Sequence, residues 1–539
     1  MRSAFRHSGI QDAPRSTALT LMFALPLAAL LAGCTSEKVV FRDRDPFNEP
    51  VAAAAGFLGY FSAETKQTTC GNCHAGHQAS WQTTAHAGAW ADLPANSAET
   101  CKSCHSVNAR GNLVEGLAGY DATKDSIYHD VQCESCHGPG LNHVRGVGQG
   151  TVVRPLAKLT MPGDGTCAEC HSGSHTPFAE EWGQSGHSIV DPSPTGRASR
   201  TGCNSCHDGR KALVAWGVQS NYVERDVATA FQPTTCSVCH DPHGSPNSKQ
   251  LRFAIDSPDP ELNLCMKCHM RRIEPATGST HGVEPHGPQG AVLLGIAGYR
   301  PAGFEYPEDR IFSSHGSEAN PRLCAGCHVT RFTVNDPQGA FVFQATGHLF
   351  RPVPCLDAQG KPTADKSCAY TSTARSWASC TQSGCHANAG VAASAFNTIR
   401  SRMKLLADQL WIDSDGDDLQ EAAPTDAGML ATVRASQPLE WAPDTRISPA
   451  EGAEFNARLC GEYGQENTDN SKGIHNPFLC EALLIASINE VRSFYALPAP
   501  PAAVQAILDG PVGGQFAQNM KVSSTQIPGY EVRSASQHK

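Results

Sequence analysis

Residues 133 to 143 read CESCHGPGLNH, a Cys-x-x-Cys-His unit followed six residues on by a second histidine, His143. Including this copy (Cys133/Cys136/His137), the unit occurs eight times. The others are Cys70/Cys73/His74, Cys101/Cys104/His105, Cys167/Cys170/His171, Cys203/Cys206/His207, Cys236/Cys239/His240, Cys265/Cys268/His269 and Cys324/Cys327/His328. A ninth stretch, CTQSGCH, sets four residues between Cys380 and Cys385 and still closes on His386. The first seven motif histidines lie 31, 32, 34, 36, 33 and 29 residues apart, and the next two gaps are 59 and 58. This quasi-repeat decides the fold class, because such short spacings leave little room for long regular elements between units.

The chemistry of the unit follows from its spacing. Two thiols three residues apart add across the two vinyl groups of one haem, and the histidine beside the second thiol reaches the iron as proximal ligand. Zinc sites and redox dithiols also use Cys-x-x-Cys, so one copy would decide nothing. Eight copies, each with His directly after the second Cys, point to haem c. For the wider ninth unit a disulfide stays open beside haem, and nine haem c groups are expected in all.

Composition agrees. Gly (49), Pro (36) and Cys (23) are plentiful while aromatic residues make up 7%, a thin stock for several large cores. Haem would then supply much of the apolar interior. The net charge of -10 gives no footing to a nucleic-acid partner. At the N-terminus, Arg2, Arg6 and Arg15 precede the apolar run ALTLMFALPLAALLAGC, which reads as a secretory signal. Its end, Leu31-Ala32-Gly33-Cys34, resembles a bacterial lipoprotein box in which Cys34 carries the lipid, an anchor that needs no spanning helix. The motifs use 18 cysteines and the lipid one. Cys355, Cys368, Cys460 and Cys480 remain, none followed by His, and suit two disulfides. Three pairings are open, the simplest being Cys355 with Cys368 and Cys460 with Cys480.

A haem held by two protein ligands shuttles electrons, whereas one with an open face binds a substrate, so the other histidines carry the functional question. Besides the nine motif histidines, His7 in the leader and His538 in the tail, twelve are left, enough to close every site. WQTTAH and WGQSGH share a Trp-x4-His form that nominates His86 and His187 for equivalent places. His143 and His243 follow their own motif histidines too closely to reach the opposite face of the same haem, so each is assigned to a neighbouring haem. His475 sits in GIHNP, where Asn476 caps and Pro477 opens a helix. His129, His286, His315 and His348 complete the distal candidates. His286 is preferred over His281, and His77 and His175 read as surface residues.

The units CESCHGPGLNH, CSVCHDPHG and CMKCHM, the Trp-x4-His elements, HGPQG before GYRPAGFEY, and GIHNP before a helix resemble multihaem c-type cytochromes. The resemblance is to the cytochrome c554-like and doubled Cys-x-x-Cys-His proteins and the outer-membrane or extracellular cytochromes of metal-reducing bacteria, over residues 70 to about 495. It implies bis-His haems in close stacked and T-shaped pairs, with distal histidines borrowed from beside another haem's motif. The fold class expected is mainly irregular with short α-helices, organised around a chain of stacked haems, with minimal β-structure. The expected segments are a signal (1–33), a polar tether (34–66), a seven-haem region (67–275) and a two-haem region (276–390). A helical part closing the last haem (391–497) and a tail (498–539) follow.

Within that helical part, Phe396, Ile399, Met403, Leu406 and Leu410 recur at helical steps, as do Leu484, Ile488, Val491 and Tyr495. Between them DSDGDDLQ alternates Asp413, Asp415 and Asp417 as a calcium loop does, without the Gly and Glu an EF-hand requires, so Ca2+ and a solvated acidic loop both stand. The leading function is a lipid-anchored nonahaem electron carrier of the periplasm or outer membrane. Its expected partners are other redox proteins or cytochromes, a porin-type outer-membrane conduit or an extracellular metal acceptor. The alternatives are a nitrite, hydroxylamine or tetrathionate type oxidoreductase with one open haem, and a subunit of an extracellular cytochrome filament. No catalytic residue is nominated.

Overall fold

Each Cys-x-x-Cys-His unit folds as one helical turn, because the spacing lets the histidine amide bond the first cysteine's carbonyl. His74, His171, His207, His240 and His269 donate in this way to Cys70, Cys167, Cys203, Cys236 and Cys265 at 2.8–3.1 Å. The wider ninth unit keeps the same closure, His386 N–H to Cys380 O at 2.9 Å, so its two extra residues loop out and leave the ends in place. The computed structural model describes residues 56–112, 114–150, 152–157, 167–218, 231–277, 284–304, 306, 310–313, 315–382, 385–461, 468–512 and 522–526. The leader, Cys34 and His281 lie outside the described residues, as does most of the tail.

Between the motif turns the described chain is mostly turns, bends and short helices, among them α1 (Ala75–Trp81) and α2 (Phe178–Gly183), which carry the two Trp-x4-His tryptophans. Among the described residues, strands occur only as four antiparallel pairs: β1 (Tyr60–Ser62) with β2 (Gln67–Thr68), β3 (Arg310–Phe312) with β8 (Val522–Gln526), β4 (Phe332–Asn335) with β5 (Phe341–Ala345), and β6 (Cys355–Leu356) with β7 (Pro362–Thr363). The Cys355–Cys368 disulfide lies beside the last pair.

Regular structure concentrates after residue 388. Helix α3 (Ala389–Leu410) begins where Asn388 caps Val391 N–H, and buries Ile399, Met403, Leu406 and Leu410. Then come α4 (Met429–Ser436), α5 (Pro449–Cys460), α6 (Pro477–Phe494) and α7 (Ala502–Leu508). Helix α6 starts as expected, with Asn476 capping Leu479 and Pro477 in the first turn. Helix α5 was not foreseen. A Ser448/Glu451 capping box starts it, and Ala450 and every residue from Gly452 to Cys460 are buried between α3, α4 and α6. The expected second disulfide is corrected here: Cys460 and Cys480 stand as two buried thiols, hydrogen-bonded side by side on α5 and α6 and not cross-linked. None of the helices among the described residues is long and apolar enough to cross a membrane.

Candidate functional site

The nine units, numbered in chain order, are sites 1 to 9. Two imidazoles on opposite faces of one iron, each nitrogen about 2 Å from the metal and each ring centre about 1 Å beyond it, would have centroids about 6 Å apart. Among the described residues, seven motif histidines have a non-motif histidine at that separation, and His74 has two, His143 and also His77 at 6.4 Å. His74 of site 1 faces His143 at 6.3 Å, His137 of site 3 faces His243 at 6.1 Å, and His171 of site 4 faces His86 at 6.2 Å. His207 of site 5 faces His286 at 6.2 Å, His240 of site 6 faces His348 at 6.4 Å, His269 of site 7 faces His187 at 6.2 Å, and His328 of site 8 faces His475 at 6.0 Å. Each pair joins one motif histidine to one non-motif histidine from elsewhere in the chain.

Site 9 is arranged more loosely: His315 is the electrostatic neighbour of His386. At site 2, among the described residues, no histidine ring faces His105 in this way. His129, nominated for a distal place, instead lies flat on Trp90, with centroids 3.6 Å apart and planes 7° apart. His175 stacks on Phe341 in the same manner, and His77 packs against His243 at 4.6 Å.

Tautomers follow from the partners. A carbonyl only accepts, so a ring Nδ1 bonded to one carries the hydrogen and leaves the Nε2 lone pair for a metal. His137 bonds Pro155 O at 2.6 Å, His143 Val153 O at 2.9 Å and His240 Lys249 O at 2.8 Å. His328 bonds Phe350 O at 2.9 Å and His315 Ile474 O at 2.6 Å, and His105 bonds Ala89 O. Burial lowers the pKa of several histidine rings, which favours the neutral form a ligand needs. It pushes His86, His243, His328 and His348 down to about 4 and His187 to about 3. His475 is the exception. Burial lowers its pKa, but the charge and hydrogen bond of buried Asp469, 2.6 Å from Nδ1, outweigh that and raise it.

The Trp-x4-His elements prove equivalent in detail. Trp81 Nε1 donates to Val131 O at 2.9 Å and Trp182 Nε1 to Thr234 O at 2.8 Å, two residues before the motifs of sites 3 and 6. In return Val131 and Thr234 donate their amides to His86 O and His187 O, both at 3.1 Å. The two elements lie about 100 residues apart, and each sets its histidine opposite a site about 100 residues apart from the other's, sites 4 and 7.

Some functional residues lie at the variable positions inside the units and left no signal in the sequence. Glu134, the x of CESCH, is buried, and its carboxylate accepts from Leu58, Gly59 and Gly140 amides at 2.7–3.0 Å, tying the first described segment to site 3. Glu169 of CAECH accepts from Gly111 N at 2.7 Å. Asp469 is the other omission. In the acidic loop, Asp413 joins Asp415 and Asp426, and Asp415 also joins Asp417 and Glu421, in two close groups. Their carboxylates also close the loop on itself, Asp413 accepting from Gly416 and Asp418 amides and Asp417 from Leu419.

Comparison with known proteins gives the same answer as the geometry. Residues 69–138 match the family model for cytochrome c554 and c-prime, and residues 229–273 that for the doubled CXXCH motif. These two segments are similar to multihaem c-type cytochromes. Multiheme cytochrome MtrA of Shewanella baltica is 27% identical over 194 residues, 33% of this chain and 54% of that protein. C-type polyheme cytochrome OmcB of Geobacter sulfurreducens is 27% identical over 296 residues, 48% of this chain and 35% of its own length. The chain thus spans about half the length of the first relative and about a third of the second. The solved outer cell wall cytochrome OcwA aligns over 72% of this chain and 75% of its own, with 17% identity and a TM-score of 0.39. The relatives named here are multihaem and polyhaem c-type cytochromes, and the matched segments contain this chain's Cys-x-x-Cys-His units.

Proposed function

We propose that the chain is an exported, lipid-anchored nonahaem electron carrier. The observation that supports it most is the set of seven histidine pairs at 6.0–6.4 Å, each made of one motif and one non-motif ring. In this reading each unit's two cysteines hold a haem and its histidine takes one face of the iron. His143, His86, His243, His286, His348, His187 and His475 take the opposite face at sites 1, 4, 3, 5, 6, 7 and 8, with His315 at site 9. When bound, each haem supplies a one-electron iron couple whose potential depends on its axial ligands, hydrogen bonds and burial. The protein's part is to place the imidazoles opposite one another and to orient several of them through Nδ1. Closure of the ninth unit by its His386 amide supports haem there as well. The net charge of -10 favours redox partners with a basic docking face, a porin-type conduit or a metal-ion acceptor.

The second reading, an oxidoreductase with one open haem, draws its support from site 2, where His129 rests on Trp90. One preparation tests both. Intact mass of the purified mature chain should give nine haems and a lipid on Cys34, and electron paramagnetic resonance of the ferric protein should be wholly low-spin. Eight haems would remove site 9 from the proposal. A high-spin signal abolished by Cys101→Ser/Cys104→Ser would replace the carrier reading with the open-site one.

A further inference from the structure

Contacts between the units depart from chain order. Site 1 meets site 3, where Thr68 Oγ1 lies 3.8 Å from Cys133 Sγ and the Cys70 and Cys133 thiols share a hydrogen bond. Cys136 of site 3 lies in electrostatic contact with Cys167 of site 4, and Cys167 is hydrogen-bonded to Cys236 of site 6. Cys239 of site 6 lies in electrostatic contact with Cys265 of site 7. Cys265 bonds Cys324 of site 8, which also packs against the Met266–Leu294 cluster. Sites 8 and 9 join through Gln382, whose amide donates to Thr330 Oγ1 at 3.2 Å and to Gly326 O inside the site 8 motif.

Sites 2 and 5 fall outside this line: the thiols of each face one site of it, while the chain after them also touches a second unit, Asn112 donating to Glu134 O of site 3 at 3.2 Å and Gly209 approaching Val238 of site 6. The loop after site 2 docks on the site 4 motif, with Arg110 Nη1 donating to Glu169 O at 3.2 Å and Gly111 N to Glu169 Oε2 at 2.7 Å, and Cys104 faces Cys170. Site 5 docks on site 7 through Arg271 Nη2, 4.0 Å from Cys206 Sγ, and through Cys206 facing Cys268. Haem is bonded to these cysteines along its vinyl edge, so facing thiols bring haem edges together.

We propose that the nine haem sites form a branched series, 1–3–4–6–7–8–9, with site 2 attached at site 4 and site 5 at site 7. The inference rests on the haem-carrier reading and adds its wiring. Sites 4 and 7 are the junctions, and they are the two sites faced by the Trp-x4-His histidines His86 and His187. The internal repeat thus supports the branching independently of the thiol contacts, since each repeat closes the junction of the next. Sites 1, 2, 5 and 9 are the ends. Three of them, sites 1, 2 and 9, contain the exposed motif cysteines Cys73, Cys101 and Cys385, whereas the other motif cysteines are partly covered. Electrons can therefore enter or leave at three surface points, and site 2 is a port that bypasses sites 1 and 3.

Electron cryo-microscopy of the full haem-loaded chain tests this through the iron positions. The iron nearest that of site 2 should belong to site 4, the iron nearest that of site 5 should belong to site 7, and each junction should have three close neighbours. The proposal is overturned if site 2's nearest iron belongs to site 1 or 3, or site 5's to site 4 or 6, as in a series that follows chain order. A reductive titration of the same sample separates the two claims. Uptake of nine electrons with an unbranched iron order would leave the carrier reading intact and remove the branching, whereas uptake of fewer would strike at the carrier reading itself.

Discussion

His475 and Asp469 show how one residue sets the character of a site. Most orienting partners here are backbone carbonyls, but Asp469 is a fully buried carboxylate bonded to Nδ1 at 2.6 Å. A charged acceptor makes the imidazole more electron-rich, which stabilises the ferric state of a haem it ligates. Asp469→Asn keeps an acceptor and removes the charge. The site 8 potential is therefore expected to rise by on the order of 50 mV, close to the 59 mV of a tenfold preference for a one-electron couple. Spectroelectrochemical titration reads this as one displaced component, and superimposable curves would sink the assignment. Residues of this kind were not legible in the sequence. His475 was marked by its GIHNP context, whereas Asp469, six positions earlier, stands near it only because the chain turns back before α6.

Among the elements, the motif turns and helices α3 and α6 could be read beforehand, since local spacing or an apolar stripe defines them. Helix α5 could not, because it is buried on every side and polar residues interrupt any stripe. Glu454 pairs with Arg458 at 2.9 Å and accepts from Trp441 Nε1, and Asn456 holds both Tyr299 N and O. Its start is held by a capping box, Ser448-Pro449-Ala450-Glu451, too short a pattern to define a helix without the packing around it. Phe455 is fully buried at its centre. Phe455→Ala should cost about 3–5 kcal/mol, lowering the midpoint of chemical denaturation followed by circular dichroism, and a midpoint within error of wild type would mean α5 is not part of the stabilising core.

For the whole molecule, apolar burial is uneven. The large cluster joins Ala291, Val292 and Ala297 to α3, α4, α5, α6 and α7. The described residues before 278 contain small groups, such as Phe57 with Val107, Tyr120 and Tyr128, or Tyr60 with Trp81 and Ala87. On the proposed reading, seven haem macrocycles would complete the interior there, and binding that occurs only in the folded state becomes folding stability. Chain produced without haem attachment should therefore lose the 70–275 region to limited proteolysis while a fragment covering about 389–508 survives. Equal survival of both regions, read by mass spectrometry, would refute this division of labour.

The sequence by itself marked the nine units proposed to attach haem, because a Cys-x-x-Cys-His turn is local chemistry that needs only five neighbouring residues. It also marked the spare histidines, and the short range of the turn made His143 and His243 partners for other units. Which ring faces which, the docking of sites 2 and 5 on sites 4 and 7, and the buried carboxylate behind His475 were decided by tertiary structure alone. These contacts join residues scores of positions apart, and no spacing rule reaches across the loops that bring them together.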